Sequence, residues 1–105
     1  MSEEYAGTKG RWQVDRKRLE TFGVRPGVYQ HFKGGEYLTL TAGHRMAQQG
    51  SAESVGEKMV IYVALFDSPD YGPNAVWDRS VEGFLEEIEV DGERRPRFRF
   101  VREEP

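Results

Sequence analysis

The side chains able to do chemistry in this chain are few, and the best placed of them surround a histidine. Tyr29, His31 and Lys33 alternate along one short stretch, a spacing that puts all three on one face of a strand. A histidine between a phenol and an ammonium is the group here most open to a shifted pKa, and so to acid–base work. The plainer alternative is that Tyr29 packs in a core and Lys33 opens a turn. His31 and His44 flank the first hairpin, with Glu57, Asp67 and Asp70 as candidate oxygen donors for a metal, but no H-x-x-x-H or comparable ligand spacing is present. The expectation is therefore no metal and no cofactor, with His31 half-buried and hydrogen-bonded and His44 solvated. Ser51, Ser54, Ser68 and Ser80 lie in no G-x-S-x-G elbow, and Gly34-Gly35 lacks the rest of a phosphate loop. The chain has no cysteine, which excludes thiolate zinc sites, disulfides and cysteine nucleophiles.

Two broader patterns could bind rather than react. Arg95, Arg97 and Arg99 share one parity and would form a basic stripe for phosphate or an acidic peptide. Pairing with Glu87, Glu89 and Asp91 on a neighbouring strand is the more ordinary use of such charges. Phe32, Tyr37, Tyr62 and Trp77 could make a stacking platform, although aromatic residues at this spacing more often fill a core.

The elements that must position these groups are short. The chain has 105 residues, enough for one domain, and 37% of them are apolar. Leu, Ile, Val and Phe make up about 22%, just above the ~20% below which a charged chain tends to stay disordered. Val, Ile, Phe, Tyr and Trp outnumber Leu, Met and Ala, and 12 Gly and 5 Pro supply turns, so β-structure is expected. The net charge of −3 hides a gradient: residues 1–35 carry +3, residues 36–66 −1 and residues 67–105 −5. An acidic domain does not favour nucleic acid. No run reaches ~18 apolar residues and Met1-Ser2-Glu3-Glu4 has no secretory character, so the expectation is a soluble cytoplasmic protein with no membrane partner.

Residues 1–24 read as a polar arm with a short helix over 15–22, and residues 25–102 as a single β domain. Asp15 can cap the helix, Val14 and Leu19 form a staple, and Gly23-Val24 suits a Schellman ending. A hairpin follows, Val28–Lys33 and Glu36–Ala42. With Gly34-Gly35 as a two-residue turn, Lys33 faces Glu36, Phe32 faces Tyr37, His31 faces Leu38 and Tyr29 faces Leu40. Tyr29, His31, Leu38 and Leu40 would then line the core, with Gln30, Phe32, Tyr37 and Thr39 outside. Residues 43–56 read as a long polar loop. Residues 57–66 are apolar on both parities, as in a central strand. A turn region over 67–74 leads to a short strand over 75–79 bearing Trp77. Ser80 caps a helical turn that delivers Phe84 and Leu85. Asp91-Gly92 then joins the Ile88/Val90 strand to the Phe98/Phe100 strand. Five or six short strands with a short N-terminal helix fit a mostly β, small SH3-like barrel or roll.

The stretch Gly27-Val-Tyr-Gln-His-Phe-Lys-Gly-Gly-Glu-Tyr37 resembles the opening Y-x-H-F-K-G-G-x-Y string of the domain of unknown function 1653 family. The resemblance continues in order through Val60-Ile-Tyr62, Ala64-Leu65-Phe66, Trp77-x-Arg79, Phe84-Leu85-Glu86 and Pro96-Arg97-Phe98. It departs in the longer loop after Ala42, in Asp78, in Ser80-Val81 and in Gly83. The resemblance implies a small, mostly bacterial, SH3-like barrel and carries no activity with it. The positions that match and could do more than pack are Tyr29, His31, Lys33, Tyr62, Trp77 and Arg79.

The function expected first is a binding or interaction module, in which those six residues hold a peptide or small anionic ligand. The alternatives are a nucleic-acid-binding small barrel using Arg95, Arg97 and Arg99, and a small enzyme using His31 as acid or base. Homo-oligomers through open strand edges are compatible with each.

Overall fold

A computed structural model describes residues 12–46 and 55–105. The arm read over residues 1–13 lies almost wholly outside the described residues, as does most of the long loop. The protein is mostly β: five antiparallel strands form one sheet, and two further hairpins and two short helices complete it. In chain order the elements are α1 (Arg16–Thr21), β1 (Val28–His31), β2 (Glu36–His44), β3 (Lys58–Ala64), β4 (Asp67–Ser68), β5 (Gly72–Pro73), β6 (Val76–Ser80), α2 (Val81–Phe84), β7 (Glu87–Val90), β8 (Glu93–Pro96) and β9 (Phe98–Arg102). The main sheet runs β6-β3-β2-β1-β9.

The caps of α1 are those its residues favour. The Asp15 carboxylate accepts from Arg18 N–H at 3.1 Å. At the other end Gly23 takes φ +84°, Gly23 N–H donates to Glu20 O and Val24 N–H donates to Leu19 O, the double bond of a Schellman ending. Leu19 and Val24 are both fully buried, so a six-residue helix that would not survive alone is held by packing. Its start is tied to the sheet where Asp15 N–H donates to Leu40 O at 2.7 Å.

The first hairpin corrects the expected register. Gly34 N–H donates to His31 O, and His31 N–H donates to Gly35 O. Only Gly34 of the two glycines has positive φ, +117°. The loop is thus the three residues Phe32-Lys33-Gly34, a turn followed by a left-handed glycine, rather than Gly34-Gly35 alone. The pairs become Val28–Leu38, Tyr29–Tyr37 and Gln30–Glu36. A shift of three residues is odd, so the partners change faces. Tyr37 and not Leu38 joins Tyr29 and His31, while Leu38 turns to the far side with Val28 and Val63. Both faces are covered: Val28, Leu38 and Val63 form one buried cluster, and Tyr29, Tyr62, Val60, Phe84 and Phe98 belong to another.

Strand β3 is central and buried along most of its length, as its apolar run requires. Strand β2 continues to His44, pairing Gly43 with Met59 and His44 with Lys58, so the expected loop starts two residues later. Ser80 does cap α2, its Oγ accepting from Gly83 N–H at 3.0 Å. Phe84 is buried by that turn, but Leu85 is left 49% exposed. Asp91 (φ +53°) and Gly92 (φ +81°) make the tight turn, yet β7 pairs with Glu93–Pro96 instead of the phenylalanine strand. Phe98–Arg102 crosses to pair with β1. That assignment places Phe98 opposite His31 and Phe100 opposite Tyr29.

Candidate functional site

Four strands bring their polar and aromatic residues to one face at the loop end of the first hairpin. Strand β1 supplies His31, β2 Tyr37, β3 Tyr62 and β6 Arg79, with Phe98 of β9 between them. Tyr62 stands opposite Trp77, and Val60 opposite Arg79, so Tyr62, Trp77 and Arg79 share a face. The ring centroids of Tyr37 lie 5.4 Å from Tyr62, 5.8 Å from Phe98 and 6.3 Å from His31, all edge-on. The His31 ring is 4.9 Å from Phe98. Edge-on rings of this kind hold one another in place and keep the polar edges of His31 and the tyrosines oriented.

Arg79 is the charged member of the group. Its Nε donates to the Tyr62 hydroxyl at 3.3 Å, and its guanidinium lies 5.5 Å from the centre of the Phe98 ring. It is half-buried, and among the described residues no carboxylate is within ion-pair reach of it. The Tyr62 oxygen accepts from Arg79 and keeps its own proton to give. Arg97 stands nearby, held by two backbone bonds: its N–H donates to Glu86 O and its O accepts from Phe32 N–H. Its side chain makes a loose pair with Glu86 at 3.6 Å, and its Nε is buried with no hydrogen-bond partner among the described residues.

His31 feels these cations. Burial, and then the charges of Arg79, Arg97 and Lys33, hold its imidazole below the usual pKa of 6.5. Its Nδ1 accepts from Lys33 N–H at 3.2 Å, which puts the proton of the neutral ring on Nε2. The expected result in solution is a His31 midpoint below 6.5, followed by NMR through the ring carbon-bound protons. Because the folded state holds the proton less tightly than the unfolded chain, this group lowers stability as pH falls from 6.5 through its folded midpoint. Above 6.5 it adds no pH dependence. A folded-state midpoint at or above 6.5 would contradict the placement of the three cations.

Of the six residues singled out by sequence, His31, Tyr62 and Arg79 converge. Trp77 flanks them, paired with Tyr62 and edge-on to Tyr71 at 4.9 Å. Tyr29 is committed to the core: it is buried against Phe84 and Phe100, and its hydroxyl donates to Arg25 O at 2.7 Å. Lys33 is exposed on the hairpin loop and contributes charge. Tyr37 was read only as an outer stacking aromatic, Arg97 only as part of a basic stripe and Phe98 only as a strand residue, although all three fall inside the resembling strings. A three-residue reading of the hairpin loop would have found Tyr37. The arginine stripe does not form on one strand: Arg95 lies on β8 beside Glu93, Arg97 follows it, and Arg99 lies on β9 with a hydrogen bond to the Gln30 side chain.

The profile of a family described as a protein of unknown function, DUF1653, matches residues 27–100. The chain belongs to the DUF1653 family. A solved structure described as a protein belonging to DUF1653 from Bordetella bronchiseptica is similar, with 28% identity and a TM-score of 0.57 over 73% of this chain and 86% of that one. A search of curated proteins finds no match. The DUF1653 match starts at Gly27 and ends at Phe100, and so spans the strands that carry His31, Tyr37, Tyr62, Arg79 and Phe98. Among the described residues of this DUF1653 chain, no three of His, Asp and Glu stand together as a metal-ligand set, and no helix is long and apolar enough to cross a membrane.

Proposed function

We propose that this domain binds a carboxylate or phosphate group, on a small molecule or a peptide, at Arg79. The observation that carries the reading is a half-buried arginine with no carboxylate partner among the described residues, its guanidinium fixed by one bond to Tyr62 and backed by a phenylalanine ring. Natural proteins rarely leave a part-buried cation unmatched, because its desolvation then goes uncompensated. An arriving anion would take the two remaining guanidinium nitrogens as a fork. The Nε2–H of His31 is a further donor on the same face, while buried Tyr62 serves to hold Arg79. Arg97 and Lys33 add positive potential in a chain whose net charge is −3.

The nucleic-acid alternative draws less support. Arg95 and Arg97 each stand beside a glutamate, and Arg99 bonds to Gln30. The enzymatic alternative has an imidazole of lowered pKa, but its Nδ1 already accepts from Lys33 N–H, and no serine or threonine hydroxyl is hydrogen-bonded to it among the described residues.

Sodium sulfate, with chloride adjusted to constant ionic strength, is the probe. Amide and ring resonances of His31, Tyr37, Tyr62 and Arg79 should shift saturably in an NMR titration. In Arg79→Gln the affinity should fall at least about tenfold, since a hydrogen bond to a charged group contributes ~1.5–3 kcal/mol. Absence of saturation, or equal shifts in the variant, would reject the reading.

A further inference from the structure

We infer that the anion Arg79 receives is the side-chain carboxylate of an extended peptide, which adds as a further strand to the free edge of β6. This rests on the anion-binding reading above and names its partner. Strand β6 ends the sheet: it pairs with β3 on one side and with no described strand on the other. Its outer row of N–H and C=O groups is what a peptide strand requires.

The side chains along that edge specify the guest. Trp77 and Arg79 are two apart and share the site face, while Asp78 between them points to the opposite face and is exposed. A peptide running antiparallel to β6 would place one residue opposite each. Opposite Arg79, an acid is favoured; opposite Asp78, a lysine or arginine; opposite Trp77, an aromatic or aliphatic residue packed beside Tyr71. Charge is matched at two successive positions on the two faces. The order acid–base–apolar is thus read from three consecutive residues of one edge strand.

A second copy of the chain fits the edge less well. In the face-preserving symmetric registers centred on Asp78 or Arg79, like charges would stand opposite one another. The register centred on Trp77 avoids that clash but leaves Asp78 and Arg79 opposite Val76 and Ala75 with neither charge compensated, which favours a heterologous strand of complementary charge.

The test uses the full chain and a blocked nine-residue peptide, Thr-Val-Thr-Glu-Lys-Phe-Thr-Val-Thr. Two comparison peptides exchange Glu with Lys, or carry N-methyl groups on alternate amides facing β6. The expected results are binding at least tenfold tighter than sulfate, slowed hydrogen exchange of outward amides between Val76 and Ser80, and at least tenfold loss with either comparison peptide. Arg79→Gln should weaken the parent peptide while leaving the fold intact by far-UV circular dichroism. If sulfate binds in an Arg79-dependent way but the peptide gains nothing over it, or the N-methylated peptide binds equally, strand addition is overturned and the anion site stands. If neither sulfate nor peptide depends on Arg79, both readings fall. Dimerisation through β6 at assay concentration, shown by sedimentation and by protection of the same amides without peptide, would also overturn the inference.

Discussion

Gly27→Ala is expected to destabilise the protein by on the order of 4 kcal/mol, combining a φ that L residues resist with overpacking. Gly27 has φ +146°, and a Cβ there would stand 2.6 Å from Arg102 O, 2.7 Å from Phe100 Cε1 and 3.2 Å from Glu103 Cα. Two of those three contacts are backbone, which cannot swing aside. The position is also bonded on both sides: Gly27 N–H donates to Thr39 Oγ1 at 2.9 Å, and Gly27 O accepts from both the Thr39 hydroxyl and the Thr39 N–H. Thr39 is fully buried, so pushing Gly27 away leaves its hydroxyl unsatisfied inside the sheet. For a domain of this size, the loss should lower Tm by roughly 15–30 °C. Gly23→Ala is the internal comparison. Its φ is +84°, but nothing lies within 4 Å of the added carbon, so its cost should be about 1 kcal/mol. Urea denaturation of the two variants separates backbone conformation from crowding. Equal costs would show that the crowding at Gly27 is relieved.

Phe84→Ala should cost about 3–5 kcal/mol, the range for truncating a buried aromatic residue. Phe84 is 1% exposed and sits at the centre of the ring cluster. It stacks on Phe98 at 4.4 Å with an interplanar angle of 15°, meets Tyr29 at 4.9 Å and Tyr62 at 5.4 Å. Its neighbour Leu85 faces solvent, and Leu85→Ala should stay within about 0.5 kcal/mol. The two substitutions together test whether α2 is a device for inserting one ring. Phe84→Ala should reach the candidate site as well, because Phe98 backs Arg79 and Tyr62 holds its Nε. Weakened sulfate binding in a still-folded Phe84→Leu variant would show that coupling. Unaltered stability in Phe84→Ala would place the ring outside the core.

What could be read from the sequence was what depends on near neighbours. The caps of α1, Ser80 at the start of α2 and the Asp91-Gly92 turn each rest on residues within five positions of one another. The length and apolarity of β3 sufficed for a central strand. His31, Tyr62 and Arg79 were selected because they fall in resembling strings and carry polar groups, and they share one face. The failures were matters of partner. Gly34-Gly35 allows two hairpin loops that differ by three in register, and no local signal chooses between them. The choice moved Tyr37 from the supposed outside to the middle of the aromatic group. Phe98–Arg102 could pair with the adjacent strand or a distant one, and its alternating Phe and Arg residues suit either. The distant choice put Phe98 behind Arg79 and dissolved the arginine stripe.

That distant pairing has a consequence for biosynthesis. Among the described strands β1 is made before β2–β8 and β9 after them. Until residues 98–102 emerge, β1 has one edge bare, and His31 and Tyr29 lack the phenylalanines that face them. Between the synthesis of β1 and that of β9 the nascent domain therefore carries an open, partly apolar sheet edge, the state in which unpaired strands capture the wrong neighbour. A sheet that closes first strand on last also has its ordering entropy concentrated in one late, long-range step, which makes slow folding the expected behaviour. Ribosome stalling or premature release shortly before Phe98 would then yield a product prone to aggregate rather than a slightly shortened domain.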